Sequence, residues 1–241
     1  MSHSRQSPAA VWLALHTTGV PGAVAIAKGD TVVSMSLDPQ GQYARSLLGA
    51  IEQLLQRVEC DVAQIEGIVT TCGPGSFTGI RIGLATAQGL AAARGQNVAV
   101  CDSLLAEAVA RRSRGWLAVV LDARRGEVFA ALYHCDEAGV RALVEPFVAA
   151  PQAASEQLLQ ALPTDAALQI IGDGAALLPL PAAVKSQSVF REVAARQDLV
   201  QALLGLAQEG RCPTVAPEEL KPLYLRKSDA ELNRQARLRT S

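Results

Sequence analysis

The sequence predicts an α/β protein made of a duplicated βββαβα unit, with a mixed sheet and helices on its faces in each of two subdomains. Three observations predict it. Short β-branched or alternating apolar runs come in sets of three separated by tight turns. Each set is followed by a helix, a strand and a further helix, and the order of the first half returns in the second.

Residues 11–16, 23–27 and 31–37 read as three strands joined through Thr-Thr-Gly-Val-Pro-Gly and Lys-Gly-Asp. Over residues 42–58 the period lengthens: Leu47, Ile51, Leu54, Leu55 and Val58 share one face, with Arg45, Glu52, Gln53 and Gln56 largely outside it. That is an amphipathic helix. A strand over 67–72 and a helix over 76–94 complete the first unit. A linking strand (98–101) and helix (103–112) lead to strands over 117–122, 127–134 and 140–144, a helix over 152–162, a strand over 168–171 and a helix over 198–208. Residues 172–197, rich in Pro, Ala and Ser, read as irregular. The expected division is an N-terminal subdomain 1–105, a C-terminal subdomain 106–225 and a basic tail 226–241, with a cleft between the halves as the usual place for a ligand.

Composition narrows the function classes. With 22 basic and 23 acidic residues the formal net charge is −1, so no overall field marks a nucleic-acid or membrane binder. The five cysteines are dispersed, without a C-x-x-C pair, and read as buried free thiols. The polar start MSHSRQSPAA and the short apolar run after it suit neither a signal peptide nor a membrane span; a cytoplasmic protein is expected.

Gly73-Pro-Gly-Ser-Phe-Thr-Gly-Ile-Arg-Ile-Gly83 sits where glycine-rich loops hold phosphate, between a strand and a helix. It is neither known pattern. A Walker loop needs a lysine after its last glycine, and the dinucleotide pattern needs glycine where this chain has Thr78. Ser76 and Thr78 suit helix capping without a ligand. Gly75, Gly79, Gly83, Ala87 and Ala91 are spaced by four and form a ridge of almost no side-chain volume, beside Ile80, Leu84 and Leu90. On periodicity alone the ridge packs on the protein's own sheet more readily than on a partner.

Catalytic patterns are sparse. His3, His16 and His134 form no helical metal pair, and no G-x-S-x-G elbow occurs. Asp122 and Arg124 at a strand end, and Gly172, Asp173 and Gly174 in a turn, are the candidate nucleotide or anion contacts, although turn chemistry accounts for the same residues. No metal site is expected. The tail carries five basic against two acidic residues and no aromatic residue to stack on bases, and reads chiefly as a solvated end.

GPGSFTGIRIGLATAQGLA, LDARRGEVFAALY, IGDGA and PLYLR (Pro222 to Arg226), in this order across nearly the whole chain, resemble the bacterial TsaB (YeaZ) proteins. The resemblance implies an actin-like, Hsp70-like (ASKHA, RNase H-like) duplicated fold. It implies a role in forming the threonylcarbamoyl-adenosine of tRNAs reading codons that begin with A. It also implies a chain that is not catalytic alone but a required subunit, the heterodimer partner of the metal-binding paralogue TsaD. A TsaE-type ATPase joins the complex, tRNA is met through it, and ATP and magnesium belong to the complex rather than to this chain. Self-association through the same helices when alone is a further expectation. The resemblance shifts the small ridge toward a partner interface, comprising Gly75, Ser76, Thr78, Gly79, Ile80, Gly83, Leu84 and Ala87 with Leu47 and Ile51 of the preceding helix. One departure stands out: relatives commonly carry Asp after the first strand, and this chain has His16, a poor magnesium ligand. The competing expectation is an autonomous nucleotide-dependent phosphotransferase or ATPase using Asp122 and Asp173.

Overall fold

The computed structural model describes residues 9–37, 42–164, 166–182, 184, 189–191 and 195–226. The basic tail beyond Arg226 and His3 lie outside the described residues.

The first sheet runs in the order β11-β5-β4-β1-β2-β3 and the second in the order β10-β9-β6-β7-β8. In the first lobe, β1 (Val11–His16), β2 (Ala23–Lys28) and β3 (Thr31–Ser36) form an antiparallel meander, and β4 (Ile65–Thr71) and β5 (Val98–Cys101) add in parallel beyond β1. The second lobe repeats this. β6 (Gly115–Arg124), β7 (Glu127–Asp136) and β8 (Gly139–Ala149) are the meander; β9 (Leu168–Ile171) and β10 (Val189–Arg191) add in parallel beyond β6. Both lobes therefore follow one order, third-second-first-fourth-fifth strand. The duplication legible as a periodicity is a duplication of topology.

Helices α1 (Tyr43–Arg57), α2 (Phe77–Ala92), α3 (Ser103–Arg111), α4 (Pro151–Ala161) and α5 (Arg196–Gln208) cover the sheets. Their placement follows side-chain size. Leu13, Leu15, Val24 and Ile26 point to one face of the first sheet and meet Leu47, Ile51, Leu54 and Leu55 of α1 and Ala87 and Ala91 of α2. The alternate residues, Ala14, Ala23, Ala25 and Ala27, are small, and against them lie Leu199, Val200, Leu203 and Leu204 of α5. An alanine-paved face lets a leucine-rich helix approach closely, and the helices of the first half are already spent on the opposite face.

This revises the expected division at 105/106. Helix α5 and strand β11 (Thr214–Val215) come from the second half of the chain but pack on the first sheet, while α3 lies between the lobes, with Leu104 in one core and Ala106 in the other. Strands β10 and β11, three and two residues long, were too short to leave a periodic signal. Among the described residues no helix is long and apolar enough to cross a membrane.

Candidate functional site: the interlobe cleft and the outer helix faces

The segment after β1 enters the cleft, and the start of α2 locks it there. The Ser76 N–H donates to the Thr18 carbonyl (2.8 Å), the Thr17 hydroxyl donates to the Gly79 carbonyl (2.7 Å), and Ser76 caps α2 by accepting from the Gly79 N–H (3.2 Å). These bonds need backbone contact. A β-carbon on Gly79 would lie 1.9 Å from the Thr17 carbonyl oxygen, and one on Gly83 would lie 2.2 Å from the Thr17 hydroxyl. Gly79, Gly83 and Ala87 are buried within the chain, as are Ile80, Leu84, Leu47 and Ile51. The small ridge is thus an internal contact with residues 17–18 and the sheet, and the partner-facing reading of these seven residues is corrected. Gly75 is half-buried under Thr18, and Ser76 and Thr78 are exposed at the cleft.

What α1 and α2 do present outward is different. Leu48 is 62% exposed, and Gly49, Ala85 and Gly89 are exposed as well. Among the described residues nothing lies within 4 Å of the position of a β-carbon on Gly49 or Gly89. Periodicity located the small stripe on α2 but could not say which of its two faces, 79/83/87 or 85/89, met the sheet.

The cleft encloses about 590 Å³ between the lobes. His16, Thr18, Ser76, Ser103 and Glu107 line it from the first lobe and α3, Asp122, Arg124 and Asp173 from the second, Arg196 from α5, and Tyr224 and Arg226 from the C-terminal segment. His16 is 1% exposed; its Nδ1 lies 3.3 Å from both the Thr18 and the Thr71 hydroxyls, and among the described residues its Nε2 has no hydrogen-bond partner. Burial, with the Arg196 guanidinium nearby, pulls its pKa down to about 3, so the imidazole is neutral at ordinary pH. Beside it Arg196 pairs with Glu107, both largely buried. No local pattern joins positions 107 and 196. The lone acid inside the apolar helix SLLAEAVAR was the signal that a cation had to reach it.

The two carboxylates at the second-lobe wall of the cleft bond to the backbone around them, as turn chemistry allows. Asp173 accepts from the Asp122 N–H (2.9 Å), and Asp122 accepts from the Arg124 N–H (2.7 Å) and the Arg124 guanidinium (2.9 Å). Gly172 and Gly174 seat the turn against β6: a β-carbon on Gly172 would lie 1.8 Å from the Val120 carbonyl oxygen, and one on Gly174 would lie 2.7 Å from the Leu121 carbonyl carbon. Among the described residues no three His, Cys, Asp or Glu side chains group in a way that could hold a metal ion. A donor set of one neutral imidazole and two carboxylates already bonded to main chain does not fit a magnesium–phosphate group.

A C-terminal strap closes one end of the cleft. The Leu223 N–H donates to the Cys72 carbonyl (2.7 Å), the Tyr224 ring stacks on Phe77 (4.8 Å between centroids), and Arg81 donates to the Tyr224 hydroxyl (3.0 Å). Two residues on, Arg226 donates to the Ala123 and Arg124 carbonyls of the opposite lobe. The element Pro222–Arg226 therefore ties the start of α2 to the β6–β7 turn.

Two lobes with one sheet order, closed over a central cleft, define the class: a duplicated two-lobed α/β protein of actin-like topology. Residues 39–234 match the family model described as TsaD: tRNA N6-adenosine threonylcarbamoyltransferase. The tRNA threonylcarbamoyladenosine biosynthesis protein TsaB of Escherichia coli (strain K12) is 30% identical over 227 residues, 90% of this chain and 95% of that protein. The Haemophilus influenzae protein of the same name is 26% identical over 89% of this chain and 92% of its own length. The crystal structure of YeaZ from Pseudomonas aeruginosa shares the fold, with a TM-score of 0.73 at 23% identity over 90% of this chain and all of that one. The chain belongs to the TsaB (YeaZ) family.

Proposed function

We propose that this chain is the non-catalytic partner of a TsaD-type enzyme in forming threonylcarbamoyladenosine on tRNAs that read codons beginning with A. The observation that carries the non-catalytic half is the state of the cleft's ionisable groups. A buried neutral imidazole stands where an acid would face phosphate, and Asp122 and Asp173 are committed to the β6 end and its turn. The names of its relatives supply the pathway.

Docking is assigned to the outward faces of α1 and α2, through Leu48, Gly49, Ala85 and Gly89. An exposed leucine flanked by positions without side chains lets another helix approach to short range. ATP, magnesium, a TsaE-type ATPase and tRNA join at the level of the complex, in the cytoplasm where tRNA is modified. Alone, the same helix faces pair two copies of the chain.

Reconstitution of tRNA modification from the purified TsaD-type, TsaE-type and threonylcarbamoyl-adenylate-forming proteins, with and without this chain, tests the proposal. Modification requires the chain, survives His16→Asn, Asp122→Asn and Asp173→Asn, and is lost with Leu48→Asp or Ala85→Arg together with co-purification of the TsaD-type protein. Tight ATP binding by the isolated chain that Asp122→Ala removes would overturn it in favour of a phosphotransferase.

A further inference from the structure

The antiparallel register of β5 and β11 pairs Ala99 with Thr214 and Val98 with Val215. Continued outward, the same register sets Pro213 opposite Val100, where the Val100 N–H donates to the Pro213 carbonyl (2.9 Å), and then Cys212 opposite Cys101. The bonded pair at 100 and 213 makes the next one, Cys101 and Cys212, a non-hydrogen-bonded pair. At such pairs the two Cα atoms stand about 4.5 Å apart and the side chains come closest. That spacing lies within the range a disulfide spans. Both side chains enter one apolar cluster with Ala99 and Leu203, and both thiols are free.

We propose that Cys101 and Cys212 form a reversible redox pair, oxidised to a cross-strand disulfide by a low-molecular-weight disulfide. The Cys212 thiolate attacks one sulfur of the oxidant and releases its other half as a thiolate. The Cys101 sulfur, giving up its proton to solvent, then displaces the second half from Cys212. One disulfide is reduced to two thiols while the protein loses two protons and two electrons.

The roles follow from the surroundings. The neighbouring Cys101 sulfur and the nearby Arg211 guanidinium pull the Cys212 thiol below its usual value, whereas Cys101, whose thiol donates to the Asp102 carbonyl (3.3 Å), is pushed up by its pairing with Cys212 and by burial. Cys72, the third sulfur at this sheet edge, points to the Cys101 carbonyl (3.5 Å), and burial pushes its thiol up to about 11. It is a poorer nucleophile than Cys212. Access comes through β11, a two-residue edge strand whose opening exposes Cys212 without unfolding the lobe.

The bond has a structural reach. Beyond β11 the chain turns at Pro217–Glu219, where Gln88 of α2 donates to the Pro217 carbonyl (2.9 Å), and continues into the Pro222–Arg226 strap. A disulfide at Cys212 fixes the root of that segment to the central sheet of the first lobe.

The test is equilibration of the full chain in glutathione buffers of increasing oxidised fraction, followed by acid quench, alkylation in denaturant and peptide mapping. The expected result is three alkylated cysteines of the five, one linked peptide pair carrying Cys101 and Cys212, and slower limited proteolysis after residue 212. Cys212→Ser abolishes the linked pair, and Cys60→Ser leaves it unchanged. Five alkylated thiols at every ratio, or a link through Cys72 in place of this one, would overturn the proposal.

Discussion

Gly79 and Thr17 are in backbone contact: a β-carbon on Gly79 would lie 1.9 Å from the Thr17 carbonyl oxygen, well inside any tolerated separation. The contact sets the α2 N-terminus on the loop that follows β1, and so shapes one wall of the cleft. Gly79→Ala is expected to destabilise the monomer by about 3 kcal/mol, because the obstacle is main chain and cannot rotate away. Gly89→Ala, on the open face of the same helix, should stabilise it by about 0.5–1 kcal/mol. Denaturant midpoints of the two variants check both signs; equal effects would mean that the ridge is not seated on Thr17. Substitutions at Gly79 or Gly83 therefore report folding, and the docking face is probed at Leu48 and Ala85.

A buried imidazole and a half-buried carboxylate titrate with opposite consequences. The folded pKa of His16 is about 3 against 6.5 ordinarily, so between these values the unfolded chain binds more protons and stability falls with falling pH, by up to about 1.4 kcal/mol per pH unit. Asp102 caps α3 from a half-buried position whose desolvation raises it to about 6 from 3.8; between those values the folded chain holds the extra proton, and stability rises as pH falls. From 6 to 3.8 the two nearly cancel. Asp102→Asn, which keeps the cap, should uncover a steep acid-side loss, and His16→Asn should leave a gain. Urea titrations across this range measure both slopes.

Glu107 and Arg196 stand as a buried pair, with side-chain exposures of 2% and 13%. Removing one partner leaves a charge without its counter-ion, and Glu107→Ala is expected to cost about 3–5 kcal/mol. The double variant Glu107→Leu/Arg196→Met should recover most of the loss, which a double-mutant cycle reads as coupling. Arg196→Met alone should also raise the His16 pKa by removing a nearby positive charge, visible as an upward shift of its imidazole resonances in an NMR titration.

The strap gives a third handle on the cleft. Tyr224→Ala removes the stack on Phe77 and the bond from Arg81, an expected loss of about 1–2 kcal/mol. Tyr224→Phe, keeping the ring, should lose less than half of that. Hydrogen exchange should rise at residues 73–81 and at the β6–β7 turn in Tyr224→Ala, and in Arg226→Ala chiefly at the turn. Unchanged exchange at the turn would separate the strap from the second lobe.

The sequence by itself determined the two repeats, because alternation and helical periodicity are local and each strand or helix longer than three residues left its pattern. It determined also that the glycine loop is neither a Walker loop nor the dinucleotide pattern, since the missing lysine and the glycine spacing are read directly from the residues. It did not determine which face of α2 lies inward. The 79/83/87 stripe and the 85/89 stripe are both small, and only the position of Thr17, brought over from β1, distinguishes them. Likewise the sequence left Asp122 and Asp173 open between ligand contacts and turn residues, and only the folded turn shows their oxygens accepting from backbone N–H groups. The lobe to which α5 belongs, the meeting of Glu107 with Arg196, and the opposition of Cys101 and Cys212 are long-range pairings. No local pattern encodes them; they arise because an alanine-paved sheet face must be covered by leucines from elsewhere in the chain.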